Sequence, residues 1–543
     1  MIASLVWWLA VQALAWAALP LCLALFAPLA DRGYGLSKAF GLLLFGYIVW
    51  LLGVTRVVPN GPVAYALTFI LLVASSTLVL RRGAGGDVRA GLGDLLEFLR
   101  RRRGLLLILE GLLFFSYAGF LLIRRHNPEI SGTEKFMDFA FMNAVTRSTH
   151  FPPFDPWLAP GPEQSEPTIN YYHFGYLIQG LLVRLTGVHP AEGFNLALGM
   201  LFALSTVGAF SLCYGLARDL VAERGGRRVV APVTQPGSPA RRLPSWSFRA
   251  ARPYLAVGTL GTFLLLISGN LWTFLRRVDG SGLWEKDFWQ GVGWNATRVL
   301  VIKRGDQDVD YTINEFPAFS FLLGDLHPHV LALPFVLLAV GLAYAWLMRP
   351  PLLYRWALGG EALPSVRTRW GRLLPAVGLL PGALILGSLY FLNSWDLPAY
   401  FALAQAAALA GAWWLRRDET DARWIRVLGV VALCGALALA LYLPFWLTFK
   451  PPVLGDQGLP LGFVTQRSFL NQFLEFWGIQ LLLVAPALAS ILASTTGRRE
   501  LALAGGALVL FVVLADRLGS GALLVSLAVA LAAGNGALRA LRA

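Results

Sequence analysis

Residues 1–30 read MIASLVWWLAVQALAWAALPLCLALFAPLA, an apolar run that contains no acidic or basic side chain. About 20 consecutive apolar residues are enough for a helix to cross the hydrocarbon core of a bilayer. A cleaved signal peptide would begin with a basic region and would be shorter. The stretch therefore predicts a first membrane helix rather than a leader that is removed.

Similar apolar runs recur along the 543 residues, which are 57% hydrophobic and 14% charged, with a mean hydropathy of +0.61. A soluble domain carries about 25% charged residues, and the runs lack the alternation of a membrane β-barrel, so strands are not expected. We predict an all-α, polytopic helical membrane protein with about thirteen transmembrane helices. The predicted spans are residues 8–29, 36–55, 64–80, 104–123, 194–216, 253–272, 330–348, 373–391, 397–415, 427–446, 473–494, 501–516 and 519–538.

The net charge of +14 comes from 45 basic and 31 acidic residues. In a membrane protein the arginines are expected on cytoplasmic loops such as Arg81–Arg103, following the positive-inside rule, so nucleic acid is not an expected partner. The three cysteines, Cys22, Cys213 and Cys434, lie in separate apolar stretches. We interpret them as core residues and not as a disulfide or metal site.

The arginine-rich loops predict a topology with the N-terminus outside. It places a polar, proline-rich segment, residues 124–176, on the outer face with residues 273–329, the 393–398 corner and all six histidines. Long ordered loops are uncommon unless they have a function, so the functional site is expected there. Tyr171–Gly187 is apolar but short and contains Arg184, which indicates an interfacial helix on the outer leaflet.

Two carboxylates in this segment lie four residues apart, Glu134 and Asp138 in GTEKFMDFA (132–140). On a helix they would share one face, and a partly desolvated carboxylate can act as a general base. The alternative is a solvated interfacial helix in which Glu134 pairs with Lys135 or Arg147.

An aromatic and proline-rich stretch follows, FPPFDPW (151–157), and then NYYHFG (170–175). Such a rigid, amphipathic surface suits a sugar ring or a lipid headgroup, and it also fits an interfacial aromatic belt. The candidate binding residues in these stretches are Asp155, Trp157, Tyr171, Tyr172 and His173.

Further candidates lie in NEFP (314–317), with Glu315, and in GDLHPH (324–329). Asp325, His327 and His329 have the chemistry of metal ligands. Pro328 disfavours regular helical spacing, so we favour contact with a phosphate over a fixed divalent metal, which stays possible.

A basic cluster on the predicted outer side departs from the positive-inside pattern and consists of Arg298, Lys303 and Arg304. An anionic lipid phosphate would explain it, as would surface pairing with neighbouring aspartates. The corner NSWDLP (393–398) adds Trp395 and Asp396, and Asp396 has a second interpretation as a helix cap.

Together these motifs resemble the YYY-domain membrane proteins, a family of Chloroflexi and archaea named for a tyrosine triplet. The matching stretches are GTEKFMDFAFMNA, FPPFDPW, INYYHFG, TINEFPAFSFLLGDLHPH and LNSWDLPAY, between residues 132 and 400. His173 stands where the third tyrosine of the family would be.

The layout is also similar to the GT-C superfamily of polytopic glycosyltransferases, which use polyprenyl-phosphate-linked sugars. This resemblance implies three parts, namely N-terminal extra helices (1–103), a core with outer catalytic loops (104–400) and C-terminal helices (401–543). It implies inverting transfer of a sugar from a lipid-phosphate donor to a glycan or protein acceptor at the outer face of the cell membrane. Asp138 or Glu134 would be the base. The implied phosphate contacts are His327, His329, Lys303 and Arg304, and the implied sugar contacts are Trp157, Tyr171 and Tyr172.

Two other classes stay open, a transporter or flippase for lipid-linked saccharides and a non-catalytic assembly protein of the envelope. A transporter would place paired ionisable residues near the bilayer midplane. We expect the ionisable residues at the outer edges of the spans and none at their centres, which favours chemistry at the surface.

Overall fold

The computed structural model describes residues 1–159, 167–224, 246–278, 293–304, 307–359, 374–415, 424–450 and 468–495. Nearly all regular structure in them is helical. The longer helices are α1 (Ile2–Leu25), α2 (Ser37–Val54), α3 (Pro62–Gly83), α4 (Val88–Arg125), α5 (Lys135–Arg147), α6 (Phe174–Thr186), α7 (Pro190–Arg224), α8 (Phe248–Leu266), α12 (Pro328–Met348), α15 (Leu380–Leu392), α16 (Asp396–Trp414), α17 (Trp424–Leu441) and α19 (Leu470–Thr495). The short helices are α9 (Trp272–Val278), α10 (Trp294–Ala296), α11 (Pro317–Leu323), α13 (Leu352–Ala357), α14 (Leu374–Val377) and α18 (Leu443–Thr448).

Seven of the described helical segments are long and apolar enough to cross a membrane, and they lie at seven of the predicted spans. The prediction of an all-α polytopic membrane protein is confirmed. The helices α8, α16 and α19 cover three further predicted spans, and α15 is a shorter apolar helix. The predicted spans 501–516 and 519–538 lie outside the described residues.

The helix α4 is much longer than the predicted span of residues 104–123. It begins at Val88, where Asp87 caps its N-terminus by accepting a hydrogen bond from the backbone N–H of Arg89. The arginines at 100–103 therefore continue the helix, and the prediction that Arg81–Arg103 is a loop is wrong. The physical reason is that arginine has a high helix propensity, so a run of arginines does not end a helix.

The helix α6 has 13 residues, too few to span a bilayer. Phe174–Val183 are all buried, and the helix packs against α1, α2, α5, α7, α12 and α15. The predicted short helix is present, but it lies inside the protein core rather than on the outer leaflet. Its apolar sequence reflects contacts with protein instead of with lipid.

The chain divides into two compact units. The first comprises Met1–Leu266 and Phe321–Pro452 and contains the main hydrophobic core. The second comprises Ile267–Ser320 and Val453–Ala543. It includes an antiparallel hairpin of β1 (Val301–Arg304) and β2 (Gln307–Tyr311), so the expectation that strands are absent is wrong at this one place.

A buried ion pair lies within the membrane-spanning helices of the first unit. Lys38 of α2 is 2% exposed and donates to Oε1 of Glu110 on α4. Tyr34 donates to the same oxygen over 2.8 Å, and Gln12 donates to Oε2 over 2.6 Å. The prediction was that ionisable residues lie at the outer edges of the spans and none at their centres. Lys38 lies at the beginning of α2, but Glu110 lies within the apolar part of α4, so the prediction is wrong for Glu110.

Candidate functional site

Two segments that are distant in sequence meet at the ends of α5 and α12. Glu134 is the N-cap residue of α5, and His327 is the N-cap residue of α12. Nδ1 of His327 lies 2.7 Å from Oε2 of Glu134. An ionised carboxylate only accepts hydrogen bonds, so Nδ1 is the donor. The Glu134 side chain is 55% exposed, which leaves this carboxylate open to solvent.

A second, buried contact ties the same segments together. Asp325 accepts a hydrogen bond from Thr133 Oγ1 over 2.8 Å, and Nζ of Lys135 lies 3.7 Å from the same carboxylate oxygen. Lys135 also donates to the carbonyl of Ser131 over 3.1 Å. The alternative interpretation, in which Glu134 pairs with Lys135 or Arg147, is wrong in its pairing, because Glu134 contacts His327. Lys135 turns towards Asp325 instead.

Two glycines allow these turns to form. Gly324 has φ +81 and Gly132 has φ +76, a region that L side chains rarely adopt. A Cβ atom on Gly324 would lie 2.5 Å from Nη1 of Arg124. Arg124 in turn donates two hydrogen bonds to Oδ1 of Asn195, over 2.9 and 2.7 Å. Gly324 therefore lets the loop before α12 close over the end of α4.

Asp138, one turn into α5, is completely buried. Tyr176 of α6 donates to its Oδ1 over 2.5 Å, while Oδ2 has no hydrogen-bond partner among the described residues. Burial raises the pKa of Asp138 to about 7; the Tyr176 hydrogen bond lowers it, and the charges of Asp325 and Glu134 raise it. Of the two predicted carboxylates, Glu134 reaches solvent and Asp138 does not.

Tyr171 and Tyr172 form an aromatic pair next to this site, with ring centroids 5.0 Å apart. The Tyr171 ring also lies 5.7 Å from Phe141 of α5. Ser394 donates to the hydroxyl of Tyr172 over 3.0 Å, which connects the pair to the 393–398 corner. The predicted tyrosines and that corner are therefore neighbours in space.

At the corner, Trp395 is 71% exposed and is the N-cap residue of α16. Asp396 lies in the first turn, and its Oδ2 accepts a hydrogen bond from Asn393 over 3.1 Å. No side chain caps this helix, so the interpretation of Asp396 as a cap is wrong.

His173 is buried, and burial lowers its pKa to about 4. Its Nδ1 lies 3.0 Å from the Tyr171 carbonyl, and its ring packs edge-on against Phe391 with centroids 4.6 Å apart. This neutral histidine is part of the core of the first unit. Its predicted place on a binding surface is wrong, because the stretch NYYHFG turns inwards where α6 begins.

The aromatic and proline-rich stretch is held by backbone pairing. The N–H of Asp155 donates to the carbonyl of Pro167 over 2.8 Å, and Ile169 donates to Pro153 over 3.0 Å. Oδ1 of Asp155 accepts from the N–H of Trp157 over 2.8 Å, so this carboxylate shapes its own turn. Trp157 is 59% exposed.

The remaining predicted residues belong to the second unit, apart from His329. Glu315 accepts a hydrogen bond from Ser320 over 2.7 Å. The guanidinium of Arg298 lies 3.5 Å from the centroid of the Trp294 ring, a cation–π contact. The side chains of Lys303 and Arg304 lie outside the described residues, although their backbone forms β1. The ring of His329 lies 5.1 Å from that of His327.

Within the part of the chain that the structure describes, no three His, Cys, Asp or Glu side chains are arranged to hold a metal ion. The chemistry of Asp325 and His327 agrees with this, because Asp325 contacts Thr133 and Lys135 and His327 contacts Glu134. These residues build a polar network across the two segments.

The sequence alone did not single out Thr133, Lys135 or Tyr176 as members of this network. In the sequence, Lys135 was only a neighbour of Glu134, and Thr133 was an ordinary loop residue. Tyr176 lies in an apolar helix, where an aromatic residue is normally a core residue. In retrospect, the signal was the phenol group, since a buried Tyr O–H usually needs a partner.

Comparison with known proteins gives one match. Residues 44–542 match the profile of a family described as "Uncharacterized membrane protein (DUF2298)". No curated protein and no solved structure matches the chain.

Proposed function

We propose that this chain, which belongs to the DUF2298 family of membrane proteins, is a glycosyltransferase of the cell membrane. It transfers a sugar from a polyprenyl-phosphate-linked donor to an acceptor hydroxyl at the outer face. The observation that carries the proposal is the solvent-exposed carboxylate of Glu134, held by His327 over 2.7 Å in a polar network on a membrane scaffold.

Glu134 is the general base of this reaction. Nδ1 of His327 donates to Oε2 of Glu134. Oε1 of Glu134 makes no hydrogen bond within the described residues, so this oxygen can accept the proton of the acceptor hydroxyl. The acceptor oxygen then forms a bond to the anomeric carbon of the sugar. The bond between that carbon and the phosphate oxygen breaks, and its electron pair leaves with the phosphate. A single displacement of this kind inverts the anomeric centre.

Asp138 has a positioning role in this proposal. It is enclosed by protein and bonded to Tyr176, so it cannot touch the acceptor without a rearrangement of α5. Its carboxylate lies one turn after Glu134 on the same helix and fixes α5 against α6. The exposed rings of Trp157 and Trp395 and the Tyr171–Tyr172 pair supply surfaces on which a sugar can stack.

The leaving phosphate needs charge stabilisation more than a proton. His329 lies in the first turn of α12, where the helix dipole favours an anion.

The test uses the purified full chain in lipid nanodiscs with radiolabelled polyprenyl-phosphate sugars. Glu134→Gln should lower turnover at least about 100-fold, the usual contribution of a general base. The matched control is Glu129→Gln, because Glu129 is an exposed carboxylate of the same loop. Wild-type turnover by Glu134→Gln, or no transfer by the wild-type protein with any donor, would overturn the proposal.

A second candidate function is a transporter or flippase for lipid-linked saccharides. The observation that favours it is the Lys38–Glu110 ion pair, because ionisable residues inside spans often line a translocation pathway. The test measures the movement of a fluorescent lipid-linked sugar across proteoliposomes. Movement that is lost in a Glu110→Gln protein shown to be folded, and kept in Glu134→Gln, would support transport over transfer. An absence of movement by the wild-type protein would exclude transport.

A further inference from the structure

A groove of about 1010 Å³ lies along α5 in the first unit. Its walls come from α5, from the aromatic and proline-rich stretch, and from the start of α7. Four basic side chains line it, Arg56, Arg147, His150 and His189. We call this feature the basic groove. Its volume is at the upper end of the roughly 300–1,000 Å³ that is usual for ligand pockets.

The positive charge in the basic groove is not neutralised within the described residues. Asp155 is the one carboxylate among the described lining residues, and its Oδ1 is engaged by the N–H of Trp157 over 2.8 Å. Arg56 and Arg147 form no ion pair with any side chain that the structure describes. Two arginines and one carboxylate leave the groove with a net positive charge, which a bound anion would balance.

A structural role does not account for these two arginines. Arg184, close by, shows what such a role looks like, because it donates to the carbonyls of Thr146 and Ser148, each over 3.3 Å. Arg56 and Arg147 make no comparable hydrogen bond within the described chain. In the predicted topology both lie on the outer side, where the positive-inside rule leaves arginine rare.

The rest of the wall combines aromatic rings and prolines with four polar side chains, Asn143, Ser148, Thr149 and Thr168. Phe139, Phe151 and Phe154 line the groove together with Pro152, Pro153 and Pro190. Two small residues of α5, Ala140 and Ala144, also line the groove. A ligand that fits this lining carries an anionic group together with a ring or an apolar chain.

We propose that the basic groove binds a phosphoryl group carried by an amphipathic ligand, with Arg56 and Arg147 as its principal contacts. The guanidinium group matches phosphate geometry through two parallel N–H donors, which favours phosphate over a simple halide. The phosphoryl group can belong to a lipid head or to a soluble molecule, and the experiment separates these two sources.

The groove and Glu134 lie on the same helix. Glu134 precedes Phe139, the first groove residue of α5, by five positions, which is about 7.5 Å along the helix axis and about 140° around it. The groove and Glu134 therefore face different sides of α5, and the groove is a site separate from the proposed base. The binding proposal does not depend on the transfer reaction, because its experiment measures binding without turnover.

The experiment measures binding of inorganic pyrophosphate to the full-length protein in zwitterionic nanodiscs by calorimetry. We expect Arg147→Gln and Arg56→Gln each to weaken binding about tenfold, the loss of one charge-assisted contact. The control is Arg125→Gln, since Arg125 is an exposed arginine outside the groove, and it should change the dissociation constant less than about twofold. Absence of pyrophosphate binding, or equal losses in all three variants, would overturn the proposal.

A second variant blocks the space and keeps every charge. Ala144 lines the groove, so Ala144→Trp places a large ring in it and should abolish pyrophosphate binding while both arginines remain. Wild-type binding by Ala144→Trp would contradict the assignment of the site to this groove. Competition then identifies the source, because nanodiscs that contain phosphatidic acid displace pyrophosphate only if the groove accepts a lipid phosphate. Displacement by a soluble sugar phosphate alone assigns the groove to a soluble ligand.

Discussion

Tyr176 donates a hydrogen bond of 2.5 Å to Asp138, and both side chains are fully enclosed by protein. The contact joins α5 to α6, the two helices on either side of the aromatic and proline-rich stretch. Because the partner oxygen Oδ2 has no hydrogen bond within the described residues, Tyr176 is the principal group that satisfies this carboxyl. Loss of this phenol should therefore change both stability and the protonation of Asp138, to which burial and a backbone hydrogen bond from Leu326 also contribute.

The first prediction concerns Tyr176→Phe. Loss of the hydroxyl leaves Asp138 buried without its donor, which should lower the free energy of unfolding by about 1–3 kcal/mol. It should also raise the pKa of Asp138 further, because the Tyr176 hydrogen bond lowers it. Chemical denaturation in detergent measures the first effect and infrared titration of the carboxyl band the second. Tyr117→Phe is the control, since Tyr117 donates only a weak bond of 3.3 Å to the Ser4 carbonyl.

The second prediction is a pH dependence that comes from Asp138. Its pKa in the folded protein is about 7, against 3.8 in an unfolded chain. Between these values the folded state keeps a proton that the unfolded state has lost, so stability decreases as pH rises. Asp138→Asn removes this slope. We expect the stability of the variant relative to wild type to increase between about pH 4 and pH 7, by about 1.4 kcal/mol per unit at most, and to be constant above. A difference that is flat across this range would contradict the prediction.

The third prediction concerns the buried pair Lys38–Glu110. Removing one partner leaves an uncompensated charge, so Lys38→Met and Glu110→Gln should each cost about 3–5 kcal/mol of stability. The double variant should cost clearly less than the sum, because both charges are then gone. A double-mutant cycle by unfolding in micelles measures the coupling. Simple additivity would show that the two side chains do not interact.

The fourth prediction compares two glycines with similar backbone angles. Gly132 has φ +76, and a Cβ atom at this position would have no other atom within 4 Å. A Cβ atom on Gly324 would lie 2.5 Å from Nη1 of Arg124. Gly132→Ala should therefore cost about 1 kcal/mol of backbone strain alone. Gly324→Ala should cost more, because it also displaces Arg124 from Asn195. Equal effects on thermal unfolding would mean that the close approach is not restrictive.

Much of the helical architecture could be predicted because apolar runs report burial or lipid contact directly. Helix ends were harder to predict, as α4 shows, since its arginines are compatible with both a loop and a helix. The hydropathy of α6 also has two explanations, a lipid surface and a protein core. Only three-dimensional packing distinguishes them.

The sequence predicted several residues of the candidate site, but it did not predict which residues contact each other. The sequence pointed to Glu134, Asp325 and His327, and the structure brings these three into one network. The sequence could not predict the contacts between these residues, because a pair such as Thr133 and Asp325 forms only when the two turns pack together. For His173 the predicted location itself was wrong. Its motif was expected to form a binding surface, but the His173 side chain lies in the core.

The attachment of α5 has a consequence for how a substrate can arrive. Asp138 fastens the helix to α6, while Thr133 and Glu134 fasten its beginning to the loop before α12. A helix held at two places is a fixed part of the site and does not move as a lid would. In the proposed reaction, an acceptor would therefore approach Glu134 from the side that already faces solvent, without a movement of α5.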